Sequence, residues 1–385
     1  MFSSPFVAES EPPKNRLYQL RDEILASGGR VVDLASGNVN EHGIIFPQET
    51  LGGILTRAAE AARIYQPDPF GQPAARQAVA QFYGPLNLSP EQVLLTPGTS
   101  LSYWYCFKLL CEPGDEVLCP RPCYPLFEHI AGLAGVRLAA YRLVESRNWA
   151  MDLDYLDHQV STRTRAIVLV SPHNPTGAVA GAEELAGLAA IAARHQLAVI
   201  ADEVFSEFLF GLPSLPRAAA TSAPLVFTLN GFSKMFALPG MKIGWIAITG
   251  DPTLVRRAAS ALELMSDTFL PVNEIAQFAV PEIFRLGQAF QRGYARSVAE
   301  RHQTALGLLA GMEYVPPRGG FYLTLPINRN EDRASLDLLR HQRLLVHPGY
   351  FYDMEPYHLV VSFIHEPAAL REHLRRVREY LEANT

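Results

Sequence analysis

The feature that most constrains the fold is a short, almost entirely apolar run, Ala166–Ser171, which leads into Pro172-His-Asn-Pro-Thr-Gly177. Successive side chains of a strand point to opposite faces of a sheet, so an unbroken apolar run predicts a strand covered on both faces. Sheets of that kind are mostly parallel, and helices connect their strands. Further strand-like runs alternate with helical segments along the chain. The sequence therefore predicts an α/β fold with a mostly parallel sheet flanked by helices.

Size and charge exclude several classes of protein. The chain has 385 residues, of which 48% are hydrophobic, enough for two or three domains with large cores. Its net charge of −6 gives no general attraction for nucleic acid or anionic membranes. The N-terminus, Met1–Ser10, lacks the basic and apolar parts of a signal peptide. No apolar segment approaches the roughly 20 residues that span a bilayer. We predict a cytoplasmic protein.

The cysteines give little support for a metal site. The sequence has four of them and no C-x-x-C pair. Buried free thiols in a reducing compartment are therefore expected in preference to zinc ligands, and no metal is predicted. The four are Cys106, Cys111, Cys119 and Cys123.

One lysine occupies an unusual position. Strand-like runs at Leu225–Leu229 and Ile243–Ile248 flank a loop rich in glycine and proline that carries Lys234. Poor hydration near buried strand ends lowers the pKa of a lysine and makes its amine a nucleophile for carbonyl carbons. A lone loop lysine is more often an exposed surface group. The residues around it decide between these interpretations.

The sequence from Ser233 to Trp245, Ser-Lys-x-Phe-x-Leu-Pro-Gly-x-x-x-Gly-Trp, resembles the Schiff-base segment of class I/II aminotransferases. These are fold-type-I enzymes of pyridoxal 5′-phosphate (PLP). The resemblance implies that Lys234 carries the cofactor as a Schiff base. It also implies a large PLP-binding domain over residues 48–275 and a smaller α+β domain over residues 276–385. The N-terminal segment, residues 1–47, is expected to join the smaller domain.

The phosphate of the cofactor has a predicted binding loop. Gly98-Thr-Ser100 lies between a strand beginning at Val93 and the apolar helical run Leu101–Cys111. Free backbone N–H groups at a helix start, with hydroxyls beside them, form an anion site. The resemblance adds Ser233 and Lys242 to the residues that bind the cofactor.

Three residues are expected around the cofactor ring. Asn174, in the family's Asn-Pro-Thr-Gly signature, is implied to bond the phenolic oxygen, although Asn-Pro is also an ordinary turn. Asp202 follows the apolar strand Leu197–Ala201, and an anion there would keep a proton on the pyridine nitrogen. Tyr124, in Pro-x-x-x-Tyr-Pro, is implied to stack on the ring. Without the resemblance, Tyr124 would be an ordinary loop aromatic.

Three further residues concern the substrate and the partner subunit. Gly37 follows a predicted strand, Val31–Ala35, and the resemblance places substrate-contacting backbone there, although a plain turn is the alternative. Tyr65 begins Tyr-x-x-x-x-x-Gly-x-x-x-x-Arg, whose tyrosine is implied to reach the cofactor phosphate of the partner subunit. The resemblance therefore implies a homodimer. Arg318 is a candidate for holding a substrate carboxylate.

Four positions depart from the family pattern. Phe205 replaces a tyrosine that bonds the phenolic oxygen, and Gly231 replaces a serine that bonds the phosphate. Lys242 replaces an arginine and so gives up a bidentate contact. Val360-Val-Ser-Phe stands where the family reads Arg-x-Ser-Phe, whose arginine grips the substrate α-carboxylate. A valine cannot bind a carboxylate, which leaves open whether the substrate has one.

Three functions follow from these residues. The leading hypothesis is an aminotransferase acting on an amino acid or amine. An alternative is a PLP-dependent lyase or synthase, catalysing β- or γ-elimination or replacement, or carbon–carbon bond formation. A third is a ligand-sensing domain without catalysis, which the presence of Lys234, Asp202 and Asn174 disfavours.

Overall fold

The computed structural model describes residues 14–383, so the N-terminal stretch Met1–Ser10 lies outside the described residues. The α-helices are α1 (Arg16–Ala26), α2 (Gln48–Ala61), α3 (Pro73–Phe82), α4 (Thr99–Leu110), α5 (Leu126–Ala134), α6 (Leu153–Gln159), α7 (Ala182–His195), α8 (Phe232–Met235), α9 (Pro252–Asp267), α10 (Glu274–Leu286), α11 (Gln288–Leu308), α12 (Glu331–Gln342) and α13 (Pro367–Glu382). The strands are β1 (Val32–Asp33), β2 (Val93–Thr96), β3 (Glu116–Arg121), β4 (Arg137–Val144), β5 (Ala150–Met151), β6 (Thr164–Val170), β7 (Ala198–Asp202), β8 (Leu225–Gly231), β9 (Gly244–Gly250), β10 (Tyr322–Pro326), β11 (Leu344–Leu345), β12 (His347–Pro348) and β13 (His358–Ser362).

An eight-stranded sheet forms the centre of the molecule, in the order β2-β9-β8-β7-β6-β3-β4-β5. The neighbouring strands from β8 through β7, β6 and β3 to β4 are parallel. Strand β9 is antiparallel to both of its neighbours, and β5 is antiparallel at the edge. The predicted α/β fold with a mostly parallel sheet is confirmed.

Apolar side chains leave both faces of this sheet. On β6, Ile167 and Leu169 join one cluster, which helix α7 covers, while Val168 between them joins the cluster on the opposite face, together with residues of α4. This is the two-sided burial that the apolar run predicted. Because β6, β7 and β8 are parallel neighbours, their C-terminal ends lie at the same edge of the sheet. The residues at and after these ends form a site.

A second, smaller sheet has the order β10-β13-β12 and packs against α11 and α13. Strand β1 is shorter than the predicted Val31–Ala35 and pairs in parallel with β11, which lies in the chain between β10 and β12 of this sheet. The N-terminal segment is therefore held by the C-terminal third of the chain. The predicted domain boundaries at residues 47 and 275 stay predictions.

Within residues 14–383, no helix is long and apolar enough to cross a membrane. The four cysteines are free and buried. No group of metal-ligating side chains suited to an ion occurs in this part of the chain.

Candidate active site

Lys234 lies directly after the central strand β8. It was predicted in a loop, but it sits on the short helix α8, which begins where the strand ends. Its Nζ donates a hydrogen bond to the carbonyl oxygen of Gly37 at 3.0 Å. The rings of Phe205 and Phe321 lie 5.8 and 5.7 Å from Nζ. Burial beside these rings lowers the pKa of Lys234 to about 8.

This pKa predicts how the cofactor-free protein captures PLP. Only the neutral amine attacks an aldehyde, and a pKa of about 8 leaves roughly a tenth of the amine neutral at pH 7. We expect the capture rate to rise about tenfold per pH unit up to pH 8 and then to level off. Stopped-flow absorbance of protein mixed with PLP between pH 6 and 10 measures it. A rate still rising above pH 9.5 would indicate an ordinary, hydrated lysine.

Asp202 occupies the C-terminal end of β7 and is buried. Its Oδ2 accepts a hydrogen bond from the hydroxyl of Tyr103 at 2.8 Å, and its Oδ1 accepts one from the backbone N–H of Val204 at 3.0 Å. Burial raises the pKa of the carboxyl to about 6, against the opposing effect of these two donors. The neighbouring Glu203 forms an ion pair with Arg217 instead. Asp202 is thus a fixed carboxylate with a donor on each oxygen.

Tyr103 is a residue that the sequence analysis missed. It belongs to α4, which packs against β7 and β8, and its hydroxyl is buried with Asp202 as its partner. In the sequence it is one apolar-looking position in a run that reads as a core helix. The only available signal was its position within two turns of the predicted phosphate loop, on a helix that starts at the same sheet edge as Asp202.

Removing the Tyr103 hydroxyl should affect catalysis through Asp202. In Tyr103→Phe the carboxylate loses one of its two donors, and a hydrogen bond to a charged group contributes about 1.5–3 kcal/mol. We expect kcat to fall about tenfold and the acidic limb of the pH profile to move to higher pH, because that donor lowers the pKa of Asp202. Tyr105→Phe, on the same helix, is the control. Unchanged pH limbs in Tyr103→Phe would contradict a role for this hydroxyl.

Asn174 and Tyr124 lie at neighbouring strand ends. Asn174 follows β6, its peptide bond to Pro175 is cis, and its buried Oδ1 has no hydrogen-bond partner among residues 14–383. Tyr124 lies between β3 and α5 and keeps 42% of its surface exposed. Burial raises the pKa of the Tyr124 hydroxyl, and the charge of Asp202 raises it further. An unsatisfied amide oxygen and a half-exposed ring close to Asp202 are suited to contact a polar aromatic ligand.

The predicted phosphate loop has a geometry suited to an anion. Gly98 has φ 112°, a conformation that favours glycine, and it caps the N-terminus of α4. A Cβ at Gly98 would lie 3.7 Å from Nζ of Lys242, so this ammonium faces the first turn of the helix. The free N–H groups of that turn and the ammonium together can hold a phosphate. Thr99 and Ser100 form the start of the helix, and the half-buried Ser233 directly precedes Lys234.

These groups fit PLP. A cationic cup at a helix N-terminus, a buried carboxylate, the Asn174 amide as a donor and a lysine of lowered pKa match the phosphate, ring nitrogen, phenolic oxygen and aldehyde of the cofactor. The residues that would hold it are Gly98, Thr99, Ser100, Tyr124, Asn174, Asp202, Ser233, Lys234 and Lys242.

Two of the departures from the family pattern have a structural explanation. A Cβ at Gly231 would lie 2.6 Å from the carbonyl oxygen of Ile243 and 3.0 Å from Cα of Gly244, so β8 and β9 approach too closely for a side chain. Phe205 packs edge-on against Phe321, with ring centroids 4.8 Å apart. Phe205 is therefore part of the apolar wall beside Lys234.

The substrate side of the site has no arginine at position 360. Val360 is buried and pairs with Thr324, two residues along β10 from Tyr322. Paired residues and residues two apart share a face of a sheet, so Val360 lies on the same face as Tyr322. The Tyr322 hydroxyl lies against Gly37, where even a Cβ would collide with it. The phenol of Tyr322, on the smaller sheet, therefore lies close to Lys234.

Two predicted residues lie apart from this group. Arg318 is exposed and lines a separate cavity with Trp149 and His173. Tyr65 is 71% exposed and lines a surface cavity with Leu270. Neither cavity is lined by Lys234.

The site agrees with comparisons to known proteins. A family model described as "Aminotransferase class I and II" matches residues 30–377. The chain belongs to this family. It is a PLP-dependent aminotransferase, which confirms the leading hypothesis and the predicted cofactor.

Relatives of this aminotransferase are similar over most of their length. The glutamate-pyruvate aminotransferase AlaA of Escherichia coli is 28% identical over 366 residues, covering 89% of this chain and 90% of that protein. The AlaA of Haemophilus influenzae is 29% identical over 370 residues, covering 92% and 91%. A solved aminotransferase structure from Escherichia coli has a TM-score of 0.88 at 26% identity, covering 99% of this chain and 98% of that one.

Proposed function

We propose that this aminotransferase binds PLP through Lys234 and transfers the amino group of a small amino acid to a 2-oxo acid. One observation carries the proposal. Lys234, with its pKa lowered to about 8, and Asp202, a buried carboxylate with a donor on each oxygen, follow adjacent strands at one sheet edge. When bound, PLP supplies the electron sink for the bond cleaved next to the substrate nitrogen.

The residues of the chain have separate roles in this proposal. Lys234 accepts a proton as the neutral amine and returns it as the ammonium, a cycle that its lowered pKa favours near neutral pH. Asp202 keeps a proton on the ring nitrogen, and Tyr124 bounds the ring face. Asn174 supports the phenolic oxygen, and the carbonyl of Gly37 lines the substrate side. Phe205 and the neighbouring apolar wall exclude water.

The substrate pair follows from the relatives. Those named glutamate-pyruvate aminotransferase make alanine and glutamate the first amino donors to test. Each is added to the purified enzyme without an acceptor. We expect one stoichiometric absorbance change per site, reversed by pyruvate or 2-oxoglutarate. Continuous release of ammonia without any acceptor would contradict transamination of that donor.

We also propose that the enzyme is a homodimer in which Tyr65 reaches the site of the partner subunit. Large apolar side chains are exposed next to Tyr65 and next to Leu270, which lines the same cavity: Ile64 is 67% exposed and Phe269 66%. Phe269 lines a cavity of about 630 Å³ together with Ser100 of the phosphate loop and with Lys242. An exposed apolar surface that continues into a phosphate site is suited to a second copy of the chain.

A mixing experiment tests this shared site. Tyr65→Ala and Lys234→Ala dimers are each expected to have little activity, but a hybrid dimer has one site with both residues intact. Random exchange of equal amounts makes about half the dimers hybrid, so about a quarter of wild-type activity should return. Steady-state assays before and after exchange measure it. No recovery in demonstrated hybrids would place both residues in one chain's site.

We further propose a cytoplasmic location and partners limited to small molecules and a second copy of the chain. The four buried free cysteines support a reducing compartment. The net charge of −6 disfavours nucleic acid and anionic membranes as partners.

A further inference from the structure

A separate cavity, named here the Trp149 cavity, is lined in part by His173, the residue directly before Asn174 of the active site. Its volume is about 190 Å³, room for roughly six water molecules at about 30 Å³ each, so a carboxylate or phosphate group fits. The lining residues that carry polar side chains include Arg147, Trp149, His173, Glu184 and Arg318. None of the cofactor-binding residues described above lines it.

One lining residue, Trp149, carries an unpaired donor. Trp149 is only 4% exposed, and its Nε1 has no hydrogen-bond partner within the described chain. An indole N–H only donates, so an acceptor is needed to satisfy it. The backbone of Trp149 has φ 60°, a left-handed conformation that is unfavourable for a bulky residue. Its backbone N–H donates to the carbonyl of Val144 at 2.9 Å, which holds this orientation.

The charges around the cavity favour an anion. Arg318 forms no ion pair with any residue from 14 to 383, and Arg147 reaches only an exposed contact at 3.7 Å with Asp152. Glu184 is the only acidic lining residue. Its two oxygens accept backbone N–H groups of Met151 and Gly181 at 2.8 and 2.9 Å, so they are already satisfied.

His173 adds no charge to this balance. Burial lowers its pKa to about 3, so it is neutral at physiological pH. Its Nδ1 lies 2.9 Å from Oγ1 of Thr176. The lining therefore combines two guanidinium groups with a single, internally satisfied carboxylate.

We propose that the Trp149 cavity binds a small oxyanion of the carboxylate or phosphate class, with Trp149 Nε1 and the guanidinium of Arg318 as its principal donors. The anion is either a free ion or the carboxylate of the amino acid substrate. The substrate carboxylate is of interest because Val360 cannot bind it. The position of Arg318 supports this second source. Its backbone N–H donates at 2.8 Å to the carbonyl oxygen of Gly177, three residues after Asn174.

The first test is an anion titration of the full-length holoenzyme. Acetate and inorganic phosphate are added separately while tryptophan fluorescence is recorded. We expect a saturable change that disappears in Trp149→Phe, and an apparent Kd at least tenfold higher in Arg318→Gln, both variants keeping wild-type circular dichroism. Arg137→Gln, an exposed arginine outside the cavity, should match the wild type. Absence of saturation with both anions, or equal affinity in Arg318→Gln and wild type, overturns the proposal.

A second test separates the two sources. If the anion is the substrate carboxylate, acetate competes with the amino acid, and Arg318→Gln raises KM for the amino acid but not for a carboxylate-free amine. If it is a free ion, KM is unchanged and acetate binds equally with or without substrate. Either pattern, with saturable binding, supports the site. Because the titration needs no turnover, failure of the proposed reaction and failure of the anion site remain distinguishable.

Discussion

Turnover should be lost when Lys234 is replaced by alanine, by at least about 10³-fold, because one side chain would lose its roles as nucleophile and as proton carrier. The visible absorbance of the holoenzyme should disappear with it. Treatment of the wild type with sodium borohydride, followed by peptide mass spectrometry, should locate covalently attached cofactor on Lys234 alone. Steady-state kinetics and the absorbance spectrum measure the two losses.

Lys108→Ala is the matched control for this variant. The Lys108 side chain is exposed and reaches only the carbonyl of Ala134 at 3.4 Å, so its loss should leave rate and spectrum unchanged. Cofactor found attached to another of the four lysines, or a Lys234→Ala protein with the wild-type spectrum, would refute the assignment of Lys234.

Asp202→Asn should lower kcat by about 10²–10⁴-fold while leaving the fold intact. The substitution keeps the size of the side chain and removes the negative charge that would hold a proton on the ring nitrogen. PLP should also bind more weakly. In the wild type, the affinity of the cofactor-free protein for PLP should fall as the pH drops below about 6, where the carboxyl takes up its own proton. Equilibrium titrations from pH 5 to 8 measure this dependence.

The asparagine variant should lose that acidic limb, since it has no carboxyl to protonate at this position. Asp267→Asn, an exposed carboxylate on α9, serves as the control for a change of net charge. A retained acidic limb in Asp202→Asn would show that another group controls cofactor binding.

The observed bounds of helices agreed well with the predicted bounds where neighbouring residues alone determine the helix. The sequence predicts long helices over Glu274–Leu286 and Gln288–Leu309; helix α10 has these bounds, and α11 ends one residue earlier. Helix α12 was not predicted, since five of its 12 residues are charged and only one face is buried. Strand β1 was predicted too long, because its extent depends on β11, more than 300 residues away in the chain.

The site residues also differ in whether the local sequence predicts them. Lys234, Asp202 and Asn174 were predicted because each follows a recognisable strand or motif. Tyr103 was missed because a buried tyrosine on an apolar helix resembles core until the structure brings it against Asp202. Likewise, the neighbours of Arg318 depend on which loops meet at the sheet edge, and no local pattern in the sequence specifies this.

The hydrogen bond between Lys234 and Gly37 has a mechanical consequence. Gly37 belongs to a segment anchored to the smaller sheet, where the N–H of Ser362 donates to the carbonyl of Leu34 at 2.6 Å, while Lys234 is fixed to the large one. This hydrogen bond therefore connects the N-terminal segment, which is held by the smaller sheet, to a residue that follows a strand of the large sheet. Any rotation of one sheet against the other stretches or relaxes that bond and so changes the electrostatic environment of the amine. We therefore expect the basicity of Lys234 to depend on the position of the smaller sheet relative to the large one.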